Sequence, residues 1–191
     1  LRVNAIEYAT RYITRLLEIG EQLKARRPAA SPFDPPWSTV QVGRIAGGAA
    51  RNIIASSCAV EWELRPVSAA DFAFARNDIE AYVARELLPR MRAVSPTASI
   101  VTEIIGEVAG LEPMTHSEAE ALVRTLTGDR TAASFVSFGT EAGLFQQHGI
   151  STVICGPGSI EQAHKPDEYV EIDQLDDCLA MIGNLEAQLT R

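Results

Sequence analysis

Histidine and cysteine are scarce in this chain, three of each among 191 residues. Cys58, Cys155 and Cys178 are odd in number and show no CxxC spacing, so neither a closed disulfide framework nor a thiolate metal cluster is expected. Each falls in an apolar stretch, and the reading is of buried, reduced thiols in a cytoplasmic protein. No segment approaches ~18 consecutive apolar residues, and no basic stretch followed by an apolar run and a cleavage site opens the chain, which leaves no membrane span and no visible export signal. The 17 basic residues against 25 acidic give a net charge of −8 without a basic cluster to neutralise phosphates, so nucleic acid is not an expected partner. Also missing are an HxD motif, an HxxxH motif and any adjacent Glu-Glu pair. A catalytic zinc needs three protein ligands and an open position, and these residues supply no such set.

What is present is enough apolar content, 46%, for one or two ordinary cores. Residues 4–26 read as an amphipathic helix, with Asn4 as cap, Glu7 at the capping-box position, and Ile6, Ala9, Ile13, Leu16, Leu17 and Leu23 at helical spacing. Four prolines between Pro28 and Pro36 then enforce a loop. Residues 38–45 and 58–65 alternate as strands, the second strictly, and Gly47-Gly48 through Asn52 joins them as a hairpin-like connection. A helix over 71–91 and a strand over 98–108 complete a unit with helices on one face of a mainly antiparallel sheet, an α+β arrangement. With no strand ahead of the first helix and Leu rather than Met at position 1, the chain is expected to continue upstream. After Gly110 the pattern becomes α/β: helix 117–126, strand 134–138, helix 141–147, strand 152–155, and a closing helix capped by Asp173 with Leu175, Cys178, Leu179, Ile182, Leu185 and Leu189 on one face.

Four features could carry chemistry. His164 follows the apolar strand Val153-Ile154-Cys155 and the turn Gly156-Pro157-Gly158, and ligand sites in α/β sheets gather at such strand ends. Neutral imidazole is a common metal ligand, and Asp167 could orient its second nitrogen. Gly139-Thr140, between a strand and a helix, offers N–H groups and a hydroxyl to a carboxylate or oxyanion, or else simply caps the helix. Arg65 ends the alternating strand beside Glu61 and Glu63, as a carboxylate-binding group or as a cross-strand ion pair on a solvated face. Asn52 suits a turn in the glycine-flanked connection. His116 and His148 read as structural or surface residues.

Taken together, GGAARNIIASSCAVEWELRP, SFGTEAGLFQQHG and GPGSIEQAHKPDEYVE resemble the dinuclear-zinc aminoacylase, deacetylase and carboxypeptidase family over essentially the whole chain. The resemblance implies a lid or dimerisation domain over residues 1–110, followed over 111–191 by the C-terminal part of an α/β zinc-peptidase-like catalytic domain. It implies that His164 is a metal ligand, that Arg65 grips the substrate carboxylate, that Asn52 lines the active site from the lid, and that Gly139 and Thr140 bind substrate. Ala55 stands where the family's motif has proline. No catalytic residue falls within the chain, since the general-base Glu is expected upstream of Leu1, and these 191 residues alone are expected to be inactive. The implied cofactor is zinc, two ions in the intact enzyme, with cobalt an alternative. The implied substrate is a small acyl amino acid, an acetylated ornithine-type compound foremost, and the implied assembly is a homodimer through the lid. A desuccinylase-like or peptidase activity, or a non-catalytic dimerisation module, are the competing expectations.

Overall fold

The computed structural model describes residues 2–136, 138–163 and 165–190. The chain divides into two compact units, Leu1–Glu103 and Ile104–Arg191. Among the described residues the architecture is α+β, helices with one two-stranded antiparallel sheet.

In the first unit, helix α1 spans Ala5–Ala25. Its start is fixed as the sequence implies: the Asn4 side chain accepts from the Ile6 N–H at 3.2 Å and donates to Glu7 Oε1 at 3.1 Å, satisfying otherwise orphaned groups of the first turn. The buried stripe is Ala9, Tyr12, Leu16, Ile19 and Leu23, alternating steps of three and four. Ile6 and Leu17, expected inside, are exposed; Tyr12 and Ile19 occupy the face turned to the sheet instead. Strands β1 (Thr39–Gly47) and β2 (Cys58–Arg65) pair antiparallel from Thr39↔Arg65 to Gly47↔Cys58, with an irregularity between Val42 and Arg44. Along β2 the half-buried residues Cys58, Val60, Trp62 and Leu64 alternate with exposed Ala59, Glu61, Glu63 and Arg65, as the period of two requires.

The single helix expected over 71–91 is three pieces run together: α2 (Ala69–Tyr82), a π-helical turn (Val83–Leu87), and α3 (Leu88–Val94). Pro89 has no N–H to donate to a preceding carbonyl, and its ring crowds the turn before it; the backbone widens there, with the Leu88 N–H bonded five residues back to Val83 O. Ser68 caps α2 by accepting from the Asp71 N–H at 3.2 Å. The core between α1, the sheet and α2 centres on Leu16, Ile19, Leu23, Ala75, Ile79 and Leu87. Each large aliphatic side chain there contributes about 1.5–3 kcal/mol on leaving water.

The second unit holds α4 (Glu118–Thr127), α5 (Ala142–Gln147) and α6 (Ile172–Leu189). Ser117 caps α4 and shares Ser151, whose hydroxyl lies 3.1 Å from the Ser117 hydroxyl and accepts from the Ala119 N–H at 3.0 Å. Gly128, at φ 73°, ends the helix in the left-handed region that glycine tolerates. The Asn184 amide donates to Leu126 O at 2.8 Å, fastening α6 to the end of α4.

Several expectations need correction. Among the described residues no strand forms over 98–108, 134–138 or 152–155, so the parallel α/β layer is not seen. A strand persists only where its N–H and C=O groups pair with a neighbouring strand, and among the described residues that pairing is made by β1 and β2. The residue before α6 is Glu171, and Asp173 sits within the first turn with no side-chain cap bond. The apolar face of α6 contributes no buried residue; Leu179 is 66% and Leu189 77% exposed. Cys155 is exposed and Cys58 and Cys178 are half-buried, all three as free thiols, so the expected full burial is not reached.

Candidate functional site

Arg65 is the last residue of β2 and projects to the exposed face of the hairpin. Glu63, two residues back on that face, receives its Nε at 3.2 Å on Oε1 and its Nη2 at 3.5 Å on Oε2. The cross-strand pair on this face belongs to Arg44 and Glu61, at 2.6 Å. Both members of the Glu63–Arg65 pair are about half exposed, 49% and 52%, a setting in which an ion pair contributes at most about 1 kcal/mol. The planar fork of Arg65 therefore sits at the surface, held in line by a neighbour that a stronger carboxylate could displace.

The chain just beyond Arg65 is anchored much more firmly. Pro66 cannot donate, which stops the ladder. The next N–H, that of Val67, donates to the Ser38 hydroxyl at 2.9 Å. Ser38 is fully buried and donates in turn to Asp71 Oδ2 at 2.6 Å, a charge-assisted bond by its length. Asp71, 5% exposed, also accepts from Arg26 Nε at 3.3 Å, and that guanidinium lies over the Phe74 ring at 4.4 Å. Sequence reading did not single out Ser38 or Asp71; a serine ahead of a strand and an aspartate in a first turn are too common to stand out.

Asn52 is exposed in the turn that closes with the Ile53 N–H donating to Ala50 O at 3.0 Å. The connection is pinned by buried Ala55, whose carbonyl accepts from the Ala5 N–H at 2.9 Å. The ladder register thus sets Asn52 and Arg65 toward opposite ends of the hairpin. From Cys58 to Arg65 alone the strand advances about 24 Å at ~3.4 Å per residue.

In the second unit Gly139 is exposed and Thr140 half-buried, immediately before α5. The Thr140 hydroxyl accepts from the Ala142 N–H at 3.3 Å, so capping is one of its roles here. The turn is backed by the segment ahead of α4: Gln146 both accepts from the Glu112 N–H at 2.8 Å and donates to Glu112 O at 2.7 Å, and Gly143 packs directly on the carbonyls of Ala109 and Gly110.

His164 lies outside the described residues, as does Ser137 of the strand expected before Gly139. Nearby, the Gly158 N–H donates to Gln174 Oε1 at 2.9 Å, and Asp167 is exposed with φ 59°. His116 and His148 are exposed. Among the described residues no three His, Cys, Asp or Glu side chains converge as metal ligands. The described donor set does not fit a metal centre by itself, and no step of the chemistry can be built through one from it.

A peptidase dimerisation domain matches residues 1–91, and the domain of peptidase family M20/M25/M40 matches residues 107–185. The chain belongs to peptidase family M20/M25/M40. Members of this family are in general metal-dependent. Among the similar proteins is an acetylornithine deacetylase of Yersinia pestis, 32% identical over 185 residues that make up 96% of this chain and 45% of that protein. The acetylornithine deacetylase of Proteus mirabilis is similar to the same extent, 32% over 185 residues, again 96% and 45%. That of Salmonella arizonae is 35% identical over 170 residues, 88% of this chain and 42% of the relative. The chain spans less than half the length of the curated relatives it matches. No helix among the described residues is long and apolar enough to cross a membrane.

Proposed function

We propose that this chain is part of a cytoplasmic, zinc-dependent amide hydrolase that removes the acetyl group from N-acetylornithine. The observation that carries this reading is the 32–35% identity to acetylornithine deacetylases over 88–96% of the chain. Residues 1–110 form the lid, through which the protein is a homodimer, and 111–191 the C-terminal part of the catalytic domain. The order of the two family matches, 1–91 and then 107–185, supports that division.

In this reading Arg65 binds the substrate's α-carboxylate with its planar fork, a geometry lysine does not reproduce. Its exposure and its exchangeable partner Glu63 support the role. Asn52 donates to the substrate carbonyl or to the oxyanion that develops from it. Because Asn52 lies toward the far end of the hairpin from Arg65, the two serve different active sites of the dimer, one of them the partner's. Gly139 and Thr140 hold the substrate from the catalytic unit, the Thr140 hydroxyl keeping a proton to donate while it accepts from Ala142. His164 would hold a metal ion together with ligands contributed from outside the chain, and such an ion would supply Lewis-acid activation of a water.

The test is turnover of N-acetylornithine by the longer protein loaded with zinc, beside N-succinyl-diaminopimelate and a dipeptide. Preferred hydrolysis of N-acetylornithine is expected, with Arg65→Ala raising KM about 10- to 100-fold, the scale of a charge-assisted contact. Preference for the succinyl compound or the dipeptide would reassign the substrate, and zinc-independent turnover would remove the metal assignment.

A further inference from the structure

We propose that the buried Ser38–Asp71 pair is the positioning device for Arg65, and through it sets how well the site recognises a free carboxylate. This rests on the reading of Arg65 as the carboxylate-binding group. Arg65 is the terminal residue of the ladder, paired with Thr39, so its backbone stands where a two-stranded sheet frays most easily. Past it, Pro66 offers no ladder bond, and the first available N–H, that of Val67, goes to the hydroxyl of Ser38, the residue next to Thr39. One buried oxygen thereby closes the open end of the hairpin from both strands. Ser38 can accept in that direction because its own proton is committed to Asp71 Oδ2 at 2.6 Å. Asp71 is fixed by its place in the first turn of α2 and by Arg26 from the end of α1. The pair ties α1, β1 and α2 to the two residues that follow Arg65.

The guanidinium itself is about half exposed and paired with Glu63 at the surface, while the backbone that carries it is the part the buried pair fixes. An arginine on a frayed strand end must be ordered by the substrate at each binding event, and that cost falls on affinity for the group it grips. Ser38 and Asp71 are positioning residues; nothing in the geometry brings them to the substrate.

The experiment compares KM and kcat of the longer protein for N-acetylornithine and for its carboxamide, in Ser38→Ala, Asp71→Asn, Ser38→Thr and Arg65→Ala. Ser38→Ala is expected to raise KM for the carboxylate about 3- to 10-fold, the scale of one net hydrogen bond, with kcat within about 2-fold and KM for the carboxamide unchanged. Ser38→Thr, which keeps the hydroxyl, restores the carboxylate preference. Asp71→Asn shifts the same ratio in the same direction, and decides the matter alone if Ser38→Ala does not fold. A carboxylate-to-carboxamide KM ratio equal to that of the unaltered protein in both Ser38→Ala and Asp71→Asn, while Arg65→Ala changes it, overturns this inference and leaves the Arg65 reading standing. An unchanged ratio in Arg65→Ala removes both.

Discussion

Glu63 and Arg65, two residues apart on one face of β2, form a two-point contact, Nε to Oε1 at 3.2 Å and Nη2 to Oε2 at 3.5 Å. The alternation of a strand brings such i, i+2 pairs side by side. The glutamate therefore occupies the kind of place on the guanidinium that a substrate carboxylate would take, and it competes for it.

Replacing that competitor is expected to sharpen binding. Glu63→Gln should lower KM for an acyl amino acid in the longer protein by about 2- to 5-fold, the scale of an exposed ion pair, while thermal stability moves by no more than about 0.5 kcal/mol. Steady-state kinetics beside a melting curve checks both, and a raised KM would show that Glu63 assists Arg65 instead.

Gly20 lies inside α1, where glycine is less favourable than alanine by up to ~1 kcal/mol. A Cβ there would meet Val40 Cβ at 3.8 Å, an ordinary van der Waals contact. Gly20→Ala should thus stabilise the first unit by about 0.5–1 kcal/mol. Both tryptophans, Trp37 and Trp62, belong to that unit, so a rise in the urea midpoint of intrinsic fluorescence is the readout.

Gly143 gives the opposite expectation for the same change. An added Cβ would meet the Gly110 carbonyl oxygen at 2.5 Å and that of Ala109 closer still, both backbone atoms with little room to retreat. Gly143→Ala is expected to cost about 1–3 kcal/mol, as overpacking does, and to loosen the Gln146–Glu112 bonds. Faster amide hydrogen exchange at Glu112, with α1 unaffected, would register it.

Burial pushes the Tyr12 phenol above its ordinary 10.0, while hydrogen bonds with Trp62 and Thr102 pull the other way. The folded protein then holds this proton to higher pH than the unfolded chain does. The stability it contributes is complete below the unfolded value, about 10, and is lost as pH rises through the folded one. Tyr12→Phe should flatten the alkaline limb of stability against pH and cost about 1 kcal/mol at neutral pH through the lost hydrogen bonds. Urea midpoints from about pH 8 to about pH 11 test the sign.

Local signals in the sequence were read well wherever a segment's partner lies within its own unit. Asn4 and Glu7 frame α1, the strict alternation of 58–65 delivers β2 with the expected ends, and the helix expected over 117–126 forms as Glu118–Thr127. Periodicity placed Ala9, Leu16 and Leu23 on the inward stripe of α1 but left out Tyr12, whose phenol looks polar in a pattern and is 8% exposed in the fold. The apolar runs at 98–108 and 152–155 have strand composition, yet composition does not supply the neighbour that makes a strand, and Val101 and Ile105 stand 83% and 84% exposed. For the site, Arg65 was legible as a strand-end arginine and Asn52 as a turn residue. Their placement toward opposite ends of the hairpin follows from the register, which no local pattern of residue types reveals. Ser38 and Asp71, 33 residues apart, meet only through the packing of α1, β1 and α2.

The widened turn at Val83–Leu87 settles which way α3 looks. Twelve residues separate Ile79 from Met91, and at ~100° per residue a regular helix would turn Met91 about 120° away from the side occupied by Ile79. Taking up one residue in the wide turn cancels most of that rotation, and Leu87 and Met91 come back inward, 1% and 6% exposed. Removing one residue from 83–87 should keep the same inner face while forcing Pro89 into a regular turn, whereas the same change two turns earlier would spin every later contact out of phase.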